Sequence, residues 1–145
     1  MLRTVLRFLL MVTACLLWAQ DKKPAEVKVS SPAYQPVPVV EARRQNPVKA
    51  TPESIASGKK IFAIDCTQCH GVAGDAKGNV PKDLKIPDLT NAANLKDFSD
   101  GALFYRIKNG HGGMPPEGNR VQSDQLWDLV NYVRSLAPAP ADKSK

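Results

Sequence analysis

Apolar residues recur at helical spacing in three stretches of the second half of the chain. Each stretch begins near a residue that commonly caps a helix, and Pro52 stands where a first helical turn accepts proline. The predicted helices start at Thr51, at Ser99 and near Ser123, and the last two end at Gly110 and before Pro138. Their apolar positions are Ile55, Ile61, Phe62 and Cys66; Leu103, Phe104 and Ile107; and Leu126, Leu129, Val130, Val133 and Leu136. No segment of residues 51–137 shows the period-two pattern of a strand, so the sequence predicts an all-α domain.

Long loops at residues 71–94 and 110–122 separate these helices. Three helices joined in this way bury little apolar surface, and small domains of this kind usually rely on a disulfide, a metal or a cofactor. The pattern therefore predicts a thin core at residues 51–137 that something else completes.

The chain on either side of this domain differs in composition. Residues 20–50 contain five of the twelve prolines and no glycine, and valine alternates with proline at residues 36–39, which favours extended backbone. We expect a Pro-rich tether here, with two interpretations open: a spacer that holds the domain off a membrane or partner, or a segment that wraps the domain surface. Residues 138–145 are expected to form a flexible tail.

The first 19 residues have the pattern of an export signal. Two arginines precede an almost wholly apolar run at residues 8–18, which is too short for a hydrocarbon core that needs roughly twenty residues. Cleavage after Ala19 would release the protein into the periplasm. The alternative is a lipoprotein signal that ends before Cys15, since residues 12–15 resemble a lipobox; a lipidated Cys15 would tether the protein to the periplasmic face of the inner membrane.

Charge excludes one class of partner. The chain has 145 residues and a formal net charge of +6, but residues 51–137 hold ten basic and ten acidic residues. The excess lies in the flanking segments, and no basic stripe marks the domain, so we expect no nucleic-acid binding. The length also excludes a multidomain enzyme and a multispan membrane protein.

Cys66, Cys69 and His70 form a C-x-x-C-H motif, the signature of covalent attachment of one c-type haem. Two thiols three residues apart on a helical turn face the same side and can reach both vinyl groups, and the next residue is the proximal iron ligand. A thioredoxin-like redox pair would need strands that are missing here, and zinc would need a second ligand pair. A disulfide between the two cysteines would close too tight a loop to stabilise much.

Met114 is the candidate for the sixth iron ligand. It lies 44 residues after His70 in a Gly-Gly-Met-Pro-Pro sequence, and it is the only methionine left once the signal is removed. His111 is the rival and would give a bis-histidine iron. We prefer Met114 and interpret His111 as a solvated loop residue.

The residues around this motif resemble a class I, single-haem cytochrome c domain of the bacterial, periplasmic kind. The matching positions are Gly58, Phe62, Cys66, Cys69, His70 and Gly71; Pro87, Asp88, Leu89 and Thr90; Asn109, Gly110, Met114 and Pro115; and Leu129 and Tyr132. The resemblance covers residues 51–137 and implies a small helical domain wrapped around the haem. It also implies that Gly58 and Phe62 pack closely against Leu129 and Tyr132.

The resemblance further implies a partner for the proximal histidine. The carbonyl of Pro87 would accept the Nδ1 proton of His70 and fix the orientation of the ring. Pro81 competes with Pro87 for this role.

The function expected from these features is one-electron transfer between redox partner proteins in an exported respiratory or dehydrogenase chain. A haem with His/Met ligation carries electrons and is not itself an enzyme. One alternative is a fixed haem subunit of a larger membrane quinol-oxidising or oxidase complex. Another is a small haem peroxidase or gas sensor, which would require Met114 to leave the iron.

Overall fold

A computed structural model describes residues 36–137 of the chain. Six helices occupy this part: α1 (Val39–Ala42), α2 (Pro52–Asp65), α3 (Thr67–His70), α4 (Ala92–Leu95), α5 (Asp100–Asn109) and α6 (Ser123–Leu136). The expected signal at residues 1–19, the tether up to residue 35 and the tail at 138–145 lie outside the described residues. Within residues 36–137, no helix combines the length and the apolar composition that crossing a bilayer requires.

The ends of the three long helices are set by local hydrogen bonds. The side chain of Thr51 accepts a hydrogen bond from the Ser54 amide, and Ser99 accepts one from Ala102 in the same way. α5 stops at Gly110, whose φ is +77°. These observations confirm the predicted starts at Thr51 and Ser99 and the predicted end at Gly110. α6 begins at Ser123 as expected, although its cap is the preceding residue, Gln122.

The described residues form no strand; the nearest feature is a single β-bridge between His111 and Met114. The all-α prediction is therefore confirmed, with three short helices in addition to the three predicted ones, α1, α3 and α4; α3 contains the helical turn expected at the C-x-x-C-H motif. The predicted loop at residues 71–94 is irregular up to Asn91, whose side chain caps α4.

The centre of the domain is the crossing of α2 over α6. Gly58 lies so close to α6 that a Cβ atom there would be 2.2 Å from the carbonyl oxygen of Asp128 and 2.9 Å from the Cα of Leu129. Phe62, 1% exposed, meets Tyr132 edge to face with 5.2 Å between the ring centroids. The structure thus brings together Gly58, Phe62, Leu129 and Tyr132.

A second set of contacts joins α5 to α6. Phe104 of α5 stacks on Trp127 of α6 at a centroid distance of 4.0 Å. Arg134 donates to Asp100 at 2.8 Å and to the carbonyls of Leu95 and Phe98, and so holds the entry to α5 against α6.

Residues 39–50 lie against the domain instead of extending from it. The Ser99 hydroxyl donates to the carbonyl of Ala42 at 2.5 Å, and the Arg44 guanidinium lies over the Phe104 ring, 4.9 Å from its centroid. The Asn46 amide donates to Asn131 of α6 at 2.8 Å. Packed structure therefore begins before the boundary predicted at residue 51, because polar and cation–π contacts hold a segment that is poor in buried apolar residues. This part has the wrapped arrangement, the second of the two interpretations of the tether.

Gly58→Ala tests the helix crossing. An alanine inside a helix normally gains about 1 kcal/mol over glycine, but here the methyl group has no space between the two backbones. We expect the free energy of unfolding to fall by about 2–3 kcal/mol. Denaturant titration measures it, and Lys59→Ala, on the exposed face of the same helix, should change it by less than about 0.5 kcal/mol. A Gly58→Ala protein as stable as the wild type would contradict the close crossing.

Asn46→Ala tests the packing of residues 39–50. The change removes donors to the Asn131 side chain and to the Trp127 carbonyl, and Asn131 is buried. We expect the free energy of unfolding to fall by about 1–2 kcal/mol. The neighbouring Gln45 is exposed, so Gln45→Ala should leave stability unchanged within about 0.5 kcal/mol; equal losses in both variants would mean that the segment is not held.

Candidate functional site

A cavity of about 280 Å³ opens between α2, α5, α6 and the loops at residues 84–89 and 111–114. Most of its wall is apolar and includes Phe62, Leu103, Ile107, Leu129 and Val133. Its size is close to the lower end of small-molecule sites, roughly 300–1,000 Å³. Because the walls come from the core helices, the site and the core of the domain share residues.

The C-x-x-C-H motif lies where α2 ends. The Cys66 amide donates to the Phe62 carbonyl at 3.0 Å, which closes α2, and the His70 amide donates to the Cys66 carbonyl at 2.9 Å, which forms α3. Cys66 and His70 line the cavity, whereas Cys69 is half-buried on the same turn outside the lining. Both cysteines are free thiols, so the two are not joined by a disulfide.

The environment of Cys66 disfavours a redox-active dithiol. Burial raises the pKa of its thiol to about 12, and the carboxylates of Glu117 and Asp65 act in the same direction. Dithiol oxidoreductases use a thiol whose pKa is lowered, because the thiolate is the nucleophile. Among the described residues, no group of three or more His, Cys, Asp or Glu side chains is arranged to hold a metal ion.

His70 is half-buried at the cavity, and its burial lowers its pKa, which favours the neutral imidazole that can ligate a metal. The carbonyl of Pro87 has the opposite effect on this pKa, because it acts as a hydrogen-bond acceptor toward the ring. The contact falls short of ordinary hydrogen-bond geometry, since Nδ1 is buried without a partner at suitable distance and angle. Pro87 lines the cavity and Pro81 does not.

Met114 lies on a tight hairpin turn. The amides of His111 and Met114 each donate to the other's carbonyl at 3.0 Å, and Gly112 between them has a φ of +57°. Both Met114 and His111 line the cavity. His111 is half-buried, so it is less exposed than the solvated loop residue that was expected, and its pKa is lowered by burial and by the charge of Arg106.

A buried carboxylate holds the Met114 loop to the haem motif. Glu117 is 2% exposed, and it accepts two hydrogen bonds from Arg120, at 2.6 and 2.7 Å. Arg120 also pairs with Asp65, next to Cys66, at 3.1 Å. The Glu117 amide donates to the carbonyl of Ile107, so the loop is tied to α5 as well.

The loop after the motif lies directly on the motif turn. A Cβ atom at Gly78 would be 2.3 Å from the carbonyl oxygen of Cys69, and the Asn79 amide donates to Gln68 at 2.7 Å. Gly78 is therefore required for this close approach.

Sequence reasoning missed several residues of the site, of which Arg106, Glu117 and Gly78 are the most informative. Arg106 could have been identified from the sequence. It lies three positions after Leu103 and directly before Ile107, which places a charged residue on the apolar face of α5. The burial of Glu117 and the contact of Gly78 arise between segments distant in sequence and leave no local pattern.

The residues present fit a covalently attached haem. A thiol, an imidazole and a thioether lie on one apolar cavity, which suits a flat macrocycle with two axial ligands. The buried, unpartnered Nδ1 of His70 is a donor that a carbonyl such as that of Pro87 could satisfy after a small adjustment. Arg106, Lys85 and Asn94 supply polar groups at the same cavity.

A protein-family model agrees with this site. The family described as cytochrome c oxidase, cbb3-type, subunit III matches residues 53–133, which is more than half of the chain. The match includes α2, the C-x-x-C-H motif, the Met114 loop and most of α6.

Individual relatives point the same way. The FixP subunit of the cbb3-type cytochrome c oxidase from Rhizobium meliloti (strain 1021) is 36% identical over 86 residues, which are 59% of this chain and 28% of FixP. Cytochrome c6 of Diacronema lutheri is 31% identical over 86 residues, covering 57% of this chain and 96% of the cytochrome.

A solved structure, the reducing HAO-like protein complex Kustc0457/Kustc0458 of Kuenenia stuttgartiensis, is also similar. One of its chains superposes with a TM-score of 0.56 at 28% identity, covering 72% of this chain and 52% of that one. The chain thus spans nearly all of a cytochrome c6 but only part of FixP and of the Kuenenia chain.

Removing Arg120 and removing Glu117 should lower the free energy of unfolding by different amounts. Arg120→Met leaves a buried carboxylate without its cation, whereas Glu117→Gln leaves an arginine whose side chain is 56% exposed to water. We expect Arg120→Met to lower the free energy of unfolding more than Glu117→Gln, for which the loss should be about 1 kcal/mol.

The measurement is denaturant unfolding of the haem-loaded variants. Lys77→Met is the matched control, because it breaks the exposed pair with Asp75 and should lower the free energy of unfolding the least of the three variants. The reverse order of the two losses would contradict the burial of Glu117.

Proposed function

This chain belongs to the cbb3-type cytochrome c oxidase subunit III family through a class I monohaem cytochrome c domain with a covalent c-type haem, and we propose that it transfers single electrons with His70 and Met114 as the axial ligands of the iron. The observation that carries the proposal is the meeting of Cys66, His70 and Met114 on the wall of one apolar cavity. Such a haem needs thiols for its covalent attachment, and an imidazole and a thioether as ligands of its iron. The thioether of Met114 lies 44 residues after His70 in the sequence.

Each residue has a distinct part in the proposal. Cys66 and Cys69 hold the haem through thioether bonds, and the bound haem supplies the one-electron chemistry of its iron. His70 provides a neutral imidazole, and the carbonyl of Pro87 orients it. Phe62, Leu129 and their apolar neighbours exclude water from the cavity.

Met114 is preferred over His111 because its side chain packs against the apolar core. The His111–Met114 hairpin and the Glu117–Arg120 pair hold its loop on both sides, so the thioether changes position little when the charge on the iron changes. A sulfur ligand also favours the ferrous state relative to a second histidine.

With both axial positions filled by the chain, the iron has no open position for a substrate, so the proposal is an electron carrier and not an enzyme. Its partners would be redox proteins on the outer side of the cytoplasmic membrane, which the chain reaches after export by its first 19 residues. A lipidated Cys15 would keep it at the membrane surface.

A fixed subunit of a larger complex is the second candidate, since FixP is named as a subunit of an oxidase and the Kuenenia structure is a complex. Purification distinguishes the two: a carrier is released as a monomer from spheroplasts, whereas a subunit co-purifies with a stable partner.

The test of the proposal is the absorption spectrum of the exported, purified protein, oxidised, reduced, and reduced under carbon monoxide. We expect haem that stays with the denatured chain and a reduced spectrum that carbon monoxide does not change. Met114→Ala should bind carbon monoxide and lose the long-wavelength band of a methionine-ligated ferric haem.

His111→Ala is the matched control and should behave as the wild type in both measurements. If His111→Ala binds carbon monoxide and Met114→Ala does not, the ligand is His111. A wild-type protein that binds carbon monoxide readily would favour a peroxidase or gas sensor, and one without covalent haem would end the proposal.

A further inference from the structure

Met114 lies between two segments of unequal stiffness. Before it are Gly112 and Gly113, and the φ of Gly112 is +57°. After it are Pro115 and Pro116, whose rings fix φ and whose nitrogens donate no hydrogen bond. The position of Met114 therefore depends strongly on what holds the chain just after the two prolines.

The residue after the prolines is Glu117, whose carboxylate is buried at 2% exposure. Both carboxylate oxygens accept a hydrogen bond from Nη2 of Arg120, at 2.7 and 2.6 Å, and the Glu117 amide donates to the carbonyl of Ile107 at 3.0 Å. A buried carboxylate is costly unless a cation or several donors meet it. The charge of Arg120 therefore keeps Glu117 inside the domain.

Arg120 also reaches the C-x-x-C-H motif. Its Nη1 lies 3.1 Å from the carboxylate of Asp65, which is the last residue of α2 and directly precedes Cys66. Burial raises the pKa of the Cys66 thiol most, the two carboxylates of this cluster raise it further, and the guanidinium lowers it, so all three charges lie beside the attachment site. One guanidinium thus joins the Met114 loop to the haem motif.

Loss of this guanidinium would leave the Glu117 carboxylate with a choice between an unpaired buried charge and exposure to water. Exposure costs less, because water solvates the charge. To reach water, the loop must turn outward, and the two stiff prolines would move Met114 with it. The same movement would open the sixth position of an iron in the cavity.

We propose that Arg120 positions Met114 on the iron and, by keeping Glu117 buried and the loop beside Asp65, closes the sixth position to added ligands. This inference rests on the proposed function, since it requires Met114 to ligate a haem in the cavity. Arg120 does not line the cavity, so it acts through the loop. It thereby favours an electron carrier over a haem protein that binds small ligands.

The experiment titrates the ferric, haem-loaded, full-length protein with imidazole and follows the absorption spectrum. Imidazole binds the iron only in the population from which Met114 has left, so its apparent dissociation constant reports how often the loop opens. For Arg120→Met we expect this constant to fall about tenfold. Lys77→Met is the matched control, because it removes the same charge from the exposed pair with Asp75; its constant should stay within about twofold of the wild type.

Two double variants distinguish positioning from a general loss of stability. Glu117→Gln added to Arg120→Met removes the buried charge that drives the loop outward, so the imidazole constant should return to within about threefold of the wild type. In a Met114→Ala background the iron is already open, so adding Arg120→Met should change the constant by less than about twofold. A residue that only stabilises the fold would give neither the rescue nor this dependence on Met114.

A wild-type imidazole constant in Arg120→Met would overturn the inference, and so would tighter binding in the Glu117→Gln, Arg120→Met double variant than in Arg120→Met. If Arg120→Met yields no haem-loaded protein, Asp65→Asn decides, because it frees Arg120 from α2 and keeps the pair with Glu117. Binding about threefold tighter than in the wild type would support the inference, and unchanged binding would overturn it.

Failure of the proposed function is seen separately from failure of this inference. It would appear in the wild-type spectra as missing covalent haem or as carbon monoxide binding, and in Met114→Ala as an iron that stays closed to carbon monoxide.

Discussion

The close crossing of α2 and α6 is the contact on which the rest of the structure depends. Gly58 lets the two backbones touch beside Asp128 and Leu129, and one turn further along Phe62 fills the core against Tyr132. Because α2 ends at the C-x-x-C-H motif, this contact also sets where the motif lies relative to α6. Phe62 and Leu129 face the cavity as well as the core, so anything that separates the two helices moves the attachment site and the wall of the cavity together.

The rest of the cavity wall is formed mainly by loops. Between the motif and α6 the described chain has only α4 and α5, and the rest of the wall consists of loops, one of which is tied by the hydrogen bond from the Leu89 amide to the carbonyl of Gly74 at 2.8 Å. Loops of this kind contribute little burial of their own and take their stability from what they pack against. A covalently bound, largely apolar macrocycle is such a surface, and it would serve as the missing part of a thin core. The same group would then stabilise the fold and carry the electron, so losses of stability and of function are expected to coincide at this wall.

The features that sequence could predict are those encoded locally. A helix cap depends on residues two or three positions apart, so the helix ends at Thr51, Ser99 and Gly110 could be predicted from the sequence. The C-x-x-C-H motif could be recognised for the same reason, because its residues are close together in the sequence. The wall of the cavity depends on contacts between distant segments, and there prediction was weaker. The approach of Gly78 to Cys69 and the burial of Glu117 have no local pattern, and His111, which was expected in solvent, lines the cavity. Proline content suggested extension through residues 20–50, but the hydrogen bond from Asn46 to Asn131, 85 positions apart, holds the last part of that range on the domain.

The packing of residues 39–50 bears on how such a domain could be attached to a larger assembly. A free spacer must be able to leave the domain surface, whereas Arg44 and Asn46 hold this segment on α5 and α6. The same segment is joined to the start of α5, where the Ser99 hydroxyl donates to the carbonyl of Ala42. The cavity residues of α5, Leu103, Arg106 and Ile107, begin one turn later. The contacts that hold residues 39–50 therefore lie at the start of α5 and on α6, at residues that do not line the cavity.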